Sequence, residues 1–122
     1  MSAAEESAAS HSWAHDLEAL AALCAVLAVP LRLRIVMLLA GGERNVTELC
    51  EHLRVPQPTV SHHLRILLEG GVVGNRRASR QIYYRLRDEA SGGTHAAGAG
   101  ATLDAAGYRV RFALGRKTSR DA

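Results

Sequence analysis

The chain has 122 residues, of which 48% are hydrophobic and 4% aromatic, and its formal net charge is +3. This length fits one domain, and the apolar fraction excludes a wholly disordered chain. Because aromatic residues are few, we expect an aliphatic, alanine-rich core. The uncharged apolar run 19–31 is thirteen residues long, whereas about 20 are needed to span a bilayer, so no transmembrane helix is expected.

The N-terminus and the cysteines indicate the compartment. Residues 1–10 contain Glu5 and Glu6 and lack the basic start and apolar stretch of a secretory signal. Cys24 and Cys50 do not have the short spacing of a disulfide framework. We therefore expect a cytoplasmic protein with reduced thiols and no membrane partner.

Charge is unevenly distributed along the chain. Residues 1–31 hold four acids and no Arg or Lys, whereas residues 54–87 hold seven arginines and a single acid, Glu69. A basic block on a folded segment is typical of proteins that bind polyanions. Charge alone leaves a solvated basic surface open as the alternative.

Apolar residues at spacings of three and four predict a first helix. Its predicted buried seam is formed by Trp13, Leu17, Leu20, Cys24, Leu27 and Leu31. Pro30 should end this helix near Leu27 and open a second helix over residues 31–40. Gly41 and Gly42 supply its C-terminal stop.

Two further helices and a turn are predicted next. Asn45 followed by Glu48 resembles a capping box and predicts a third helix over Val46–Leu53. After a turn at residues 54–56, a fourth helix is predicted over Gln57–Glu69. Its predicted buried face carries Val60, Leu64, Leu67 and Leu68.

The hydrophobic period then changes to two. Residues 72–76 and Gln81–Leu86 predict two strands of a short hairpin, separated by residues 77–80. A short helix, a tight turn, a longer helix and a basic hairpin form the layout of a winged helix-turn-helix. The predicted fold class is therefore mainly α with a small β-hairpin (α+β).

The C-terminal part predicts a second hairpin. Apolar and polar residues alternate over residues 108–114, with residues 101–105 as the other arm and a turn near Ala106 and Gly107. A helix over residues 94–106 is the alternative, which Gly98 and Gly100 disfavour. The predicted organisation is a polar lead (1–12), the winged helix-turn-helix domain (13–88), a Gly-rich linker (89–100), and a C-terminal hairpin with a basic tail (101–122).

Four stretches, residues 27–35, 46–49, 57–64 and 80–86, resemble the ArsR family of small dimeric bacterial transcription repressors. The third and fourth read QPTVSHHL and RQIYYRL, and the resemblance covers about residues 15–88. It implies a repressor that binds a palindromic operator in double-stranded DNA through helix 57–69 and the wing 72–86. It also implies a homodimer, for which helix 13–29 is the predicted contact, because the C-terminal hairpin replaces the family's usual C-terminal helix.

A recognition helix presents its first turns to base edges in the major groove. The candidate DNA-contacting residues in the helix are Gln57, Thr59, Ser61, His62 and Arg65, and those in the wing are Arg76, Arg77 and Arg80. The wing arginines suit phosphate or minor-groove contact. For Ser61 and His63 a packing role inside the motif is the alternative. Two departures from the family are Pro56, which has no side-chain acceptor for a cap, and Ser79, where the wing usually turns through Gly.

Family members often respond to metals, but the ligand positions are not filled here. Only Cys50 falls on a thiolate position of the arsenite-type site, and one thiolate cannot build a soft trigonal site. The C-terminal metal set of the family falls on Asp88, Ala90, Ala101 and Asp104. It lacks both histidines, so no metal and no cofactor is expected.

The two cysteines are candidate redox residues. If the first helices pair across a twofold axis, Cys24 would approach its symmetry mate, and a disulfide needs Cα atoms within about 7 Å. A buried, inert thiol is the alternative for Cys24, and a small core residue is the alternative for Cys50.

No catalytic function is predicted, since the sequence has no recognisable Ser-His-Asp grouping and no phosphate-binding Gly loop with its lysine. The sequence thus predicts a DNA-binding transcriptional repressor without catalytic residues. The alternative is a winged-helix module that acts through a partner protein and uses the C-terminal hairpin as an edge strand.

Overall fold

The computed structural model describes residues 17–87 and 100–113. In these ranges four helices are present: Leu17–Leu27 (α1), Pro30–Ala40 (α2), Val46–Leu53 (α3) and Gln57–Glu69 (α4). The strands in the same ranges are Arg44–Asn45 (β1), Val73–Ala78 (β2), Gln81–Leu86 (β3), Gly100–Ala105 (β4) and Tyr108–Ala113 (β5). The polar lead, Trp13, most of the Gly-rich linker and the basic tail lie outside the described residues.

The first two helices meet at the predicted break. α1 ends at Leu27, and the axes of α1 and α2 differ by 91°. Pro30 occupies the first turn of α2, where a missing N–H has no intrahelical role, so α2 begins one residue earlier than predicted. Of the helices in the described ranges, none alone has the length and hydropathy of a membrane span; only α1 and α2 counted together as one bent segment reach both.

The capping box at α3 is confirmed. The Asn45 side chain accepts a hydrogen bond from the Glu48 N–H at 2.8 Å, and the Glu48 carboxylate accepts one from the Asn45 N–H at 3.5 Å. Arg54 is the C-cap of α3. Its backbone is in the left-handed conformation, with φ 56° and ψ 46°, and its N–H donates to the Cys50 carbonyl. Pro56 then starts α4 without a side-chain cap, as predicted.

The hairpin after α4 forms a three-stranded antiparallel sheet with β1, in the order β1-β3-β2. The predicted four-residue loop 77–80 is wrong. Arg77 and Ala78 belong to β2, and the turn consists of Ser79 and Arg80, at φ 50° and 67°. Positive φ at both turn residues matches the twist of paired strands, so pairing continues to Ala78 and Gln81. Ser79, which stands where the family usually has Gly, thus has a positive φ that Gly adopts more readily.

The C-terminal hairpin is confirmed over residues 100–113. β4 and β5 pair antiparallel through a turn at Ala106 and Gly107, both with positive φ. Ala101, Leu103 and Ala105 are buried, so the hairpin contributes its apolar face to the core. The Asp104 N–H donates to the Arg87 carbonyl at 2.6 Å, which joins β4 to the end of β3.

The core is aliphatic, as predicted. Its fully buried large side chains are Ile35, Leu49, Leu64, Leu67, Leu103, Val36, Val60, Val72 and Val73. The predicted seam of α1 is partly wrong, because Leu23 is 3% exposed whereas Leu17 is 44% exposed and Cys24 is also exposed. Because successive residues of an α-helix are rotated by about 100° around its axis, Leu20, Leu23 and Leu27 form the stripe that faces the core. Leu17 and Cys24 lie on a neighbouring stripe that the protomer leaves open.

Candidate nucleic-acid interface

α4 presents one face to the core and the other to solvent. Val60, Leu64 and Leu67 are buried, which fixes the rotation of the helix. The five residues predicted to contact DNA from this helix are all exposed: Gln57, Thr59, Ser61, His62 and Arg65. From the helical rotation, His62 and Arg65 lie near the middle of the exposed face, and the Arg65 Nη2 atom is 3.4 Å from His62 Nδ1.

His63 is half-buried and has the packing role that the sequence analysis gave as its alternative. Arg32 Nε donates to His63 Nδ1 at 3.1 Å, and Arg32 Nη1 donates to the Val26 carbonyl at 3.0 Å. This bridge ties α4 to α2 and to the end of α1. Burial lowers the pKa of His63, and the neighbouring charges of Arg32 and His62 lower it further, so the imidazole accepts from Arg32 in its neutral form.

The three wing arginines predicted to contact DNA are exposed and lie in two different settings. Arg76 Nε lies 2.9 Å from both carboxylate oxygens of Glu43, and its guanidinium carbon lies 5.1 Å from the centre of the Tyr83 ring. Arg77 and Arg80 have no side-chain partner among the described residues. Residues 77–80, here called the wing tip, thus present two cations to solvent.

Glu43 and Arg76 form a hydrogen-bonded ion pair. The hydrogen bond from Arg76 holds the pKa of Glu43 below its usual value, and the same contact raises the pKa of Arg76. The Arg76 side chain is 53% exposed and that of Glu43 is 26% exposed. A pair this exposed adds little to the free energy of unfolding, so its effect is on the orientation of Arg76.

Sequence reasoning missed the residues that hold the wing. Glu43 was not singled out, and Asn45 was predicted only as a cap, yet its Nδ2 atom also donates to the Gln81 side-chain oxygen. These contacts join residues 33 and 36 positions apart. Nothing in a local hydrophobic pattern indicates them.

The cysteines are free thiols in different environments. Cys24 is exposed on α1, so the alternative of a buried thiol is wrong, while Cys50 is half-buried against the core. Redox roles for either remain predictions. Within residues 17–87 and 100–113, no three His, Cys, Asp or Glu side chains lie together as a metal site would require.

The architecture defines the class of protein. α3 and α4, joined by the three residues 54–56, form a helix-turn-helix, and β2 and β3 follow it as a two-stranded wing. This is a winged helix-turn-helix domain. A sequence profile described as bacterial regulatory protein, arsR family, matches residues 29–74. Together with the relatives below, this match shows that the chain belongs to the ArsR family.

Three known proteins illustrate the relationship. The HTH-type transcriptional repressor SmtB of Mycobacterium tuberculosis is 47% identical over 72 residues, which are 59% of this chain and 53% of that protein. This chain therefore matches about half the length of SmtB.

Two solved structures share the fold. The transcriptional repressor BigR of Xylella fastidiosa superposes with a TM-score of 0.60 and 36% identity, over 66% of this chain and 79% of that one. The homodimeric winged helix-turn-helix DNA-binding domain of Mb0332 from Mycobacterium bovis superposes with a TM-score of 0.56 and 37% identity, over 60% and 68%.

Proposed function

We propose that the protein is a sequence-specific DNA-binding transcriptional repressor. The observation that carries this proposal is that all eight predicted contact residues are exposed on α4 and the wing. The matched relatives named as repressors support it. These names also favour a binding protein over an enzyme. A repressor of this kind would act in the cytoplasm, where bacterial DNA lies.

The proposed mode of binding places the N-terminal half of α4 in the major groove. Gln57, Thr59, Ser61, His62 and Arg65 would face base edges and nearby phosphates there. The wing tip would contact the backbone through Arg77 and Arg80, with Arg76 beside them, held by Glu43. Glu69, the acid on this helix, lies at its C-terminal end, away from the proposed contact.

We further propose that the repressor is a homodimer that contacts its partner through α1. The exposed stripe of α1 consists of Leu17, Ala21 and Cys24 and continues to Ala28 just past its end, four residues without charge. The homodimeric state of the Mb0332 domain supports this arrangement. Oxidation should then cross-link two protomers through Cys24, and Cys24→Ser should abolish the cross-linked band on a non-reducing gel.

The function can be tested by enrichment of genomic DNA fragments on the purified protein at a stated salt concentration. A twofold-symmetric site with half-sites about one helical turn apart is expected. Arg65→Ala and Arg77→Ala should weaken binding to that site, and loss of one phosphate contact should reduce the salt dependence by about 0.9 in the log–log slope. Arg111→Ala is the matched control, because it removes an exposed arginine of β5 outside the proposed interface.

The competing function is a winged-helix module that acts through a partner protein. It would be favoured if no sequence were enriched above non-specific binding. Equal, negligible effects of Arg65→Ala, Arg77→Ala and Arg111→Ala on affinity for DNA would point the same way.

A further inference from the structure

Three consecutive residues, Glu43, Arg44 and Asn45, connect the helical body to the wing, and we call them the wing bracket. Extended backbone sends alternate side chains to opposite sides. The middle residue faces the helices: Arg44 Nε donates to the Leu38 carbonyl at 3.2 Å, and Arg44 Nη1 donates to His52 Nε2 at 3.1 Å. The bracket is therefore anchored to the ends of α2 and α3.

The outer two residues of the bracket face the wing. The Glu43 carboxylate holds Arg76 on β2, and the Asn45 side chain donates to Gln81 on β3. Arg76 pairs with Tyr83 and Ala78 pairs with Gln81 in the strand register, so Arg76 and Gln81 lie on one face of the hairpin. The bracket thus has hydrogen bonds to both strands of the wing, and the one on β3, at Gln81, is next to the turn residue Arg80.

We infer that Glu43 and Asn45 are positioning residues that fix the wing tip relative to α4, so that both reach DNA together. Asn45 caps α3 with its Oδ1 atom and holds Gln81 with its Nδ2 atom, and one side chain therefore joins the start of the helix-turn-helix to the wing. A two-stranded hairpin is marginal alone, and ordering a loose arm on binding weakens affinity. The inference rests on the DNA-binding function proposed above.

The charge of Glu43 offers a different explanation for any effect of this residue on DNA binding. Glu43 is an anion close to a surface proposed to meet phosphates, so its removal alone could strengthen DNA binding by relieving repulsion. Glu51→Ala is the matched control for charge, because Glu51 is an exposed acid on α3 and has no hydrogen bond or ion pair to the wing among the described residues. A positioning role and a repulsive role give opposite signs for Glu43→Ala relative to Glu51→Ala.

The test is a double-mutant cycle on a labelled duplex carrying the enriched operator, with affinity measured by fluorescence anisotropy at fixed salt. Arg80→Ala is made in the parent, in Glu43→Ala and in Gln81→Ala. Arg80→Ala raises the dissociation constant for the operator by some factor in the parent, and we call this its loss factor. We expect that factor to be at least about twofold smaller in both bracket variants, as for residues that act through one another. Arg65→Ala, on α4, should give the same loss factor in all three. Glu43→Gln, which keeps an acceptor oxygen for Arg76, should retain more of the parent behaviour than Glu43→Ala.

Three results would overturn the inference. An unchanged loss factor for Arg80→Ala in both backgrounds would show that the bracket does not act through the wing tip. Tighter binding by Glu43→Ala than by Glu51→Ala would assign Glu43 to repulsion. No effect of either Arg65→Ala or Arg80→Ala in the parent would instead refute the proposed function itself. Because Gln81 is exposed, Gln81→Ala keeps the test available should Glu43→Ala unfold.

Discussion

Arg54 occupies a backbone conformation that favours glycine, and replacing it should stabilise the protein. It ends α3 at φ 56° and ψ 46°, in the left-handed region where an L side chain crowds the following carbonyl. Its N–H donates to the Cys50 carbonyl at 2.8 Å, which closes the helix and does not depend on the side chain. The side chain is exposed and has no partner among the described residues. Arg54→Gly therefore removes strain without removing a contact seen in the protomer.

Two opposing effects set the size of the gain. The left-handed conformation costs an L residue about 1–2 kcal/mol, whereas glycine loses about 0.5–1 kcal/mol more backbone entropy on folding than alanine does. The net expectation is a free energy of unfolding higher by about 0.5–1 kcal/mol. For a domain of this size, that corresponds to a rise of about 2–6 °C in the midpoint of thermal unfolding.

The assay is thermal unfolding followed by circular dichroism, with Arg54→Ala as the matched control. Both variants lose the guanidinium, and only glycine also loses the Cβ atom that causes the strain. Arg54→Ala should therefore match the parent within experimental error, and Arg54→Gly should exceed both. Equal midpoints for Arg54→Gly and Arg54→Ala would refute the argument from backbone strain. Any loss of DNA affinity should be equal in the two variants, since they lose the same cation beside the start of α4.

Three other predictions follow from the same structure. The pKa of His63 in the folded protein lies below its unfolded value. The stability that His63 provides is therefore complete above about pH 6.5 and is lost as the pH falls through the folded pKa. The midpoint of thermal unfolding should drop on acidification, and His63→Gln should reduce that drop. Asn45→Ala removes the cap of α3 and should lower the free energy of unfolding by about 1 kcal/mol, measured in urea. Leu103→Ala should lower it by about 2–5 kcal/mol, whereas Ile82→Ala, at an exposed position, should change it by less than about 0.5 kcal/mol.

Local signals in the sequence predicted the helices well because each helix end is set by nearby residues. The bounds of α3 follow from the Asn45 cap, and the break between α1 and α2 follows from Pro30. The exposure of the predicted contact residues on α4 follows from its apolar period of three and four. These features depend on neighbours within one or two turns, and the chain itself displays those neighbours.

Features that depend on distant parts of the chain were not predictable in the same way. The sequence analysis placed Cys24 in the seam of α1, whereas Leu23 is the residue that joins the core cluster. The packing of the rest of the protein decides this, and the spacing of apolar residues within α1 does not. The wing turn was predicted too long, because the register that pairs Ala78 with Gln81 is set across strands. The wing bracket depends on polar contacts between residues more than 30 positions apart, which follow no period.

The C-terminal hairpin also constrains how two protomers could meet. Its apolar side, with Ala101, Leu103 and Ala105, is already buried within the protomer. Its other side carries Arg109, bonded to Asp104 at 3.0 Å, and the exposed Arg111. An edge strand with exposed arginines discourages pairing with a second copy. The uncharged stripe of α1 is thus the better surface for a twofold contact, and a charged substitution there, Ala21→Glu, should dissociate the proposed dimer in sedimentation while Arg111→Glu leaves it intact.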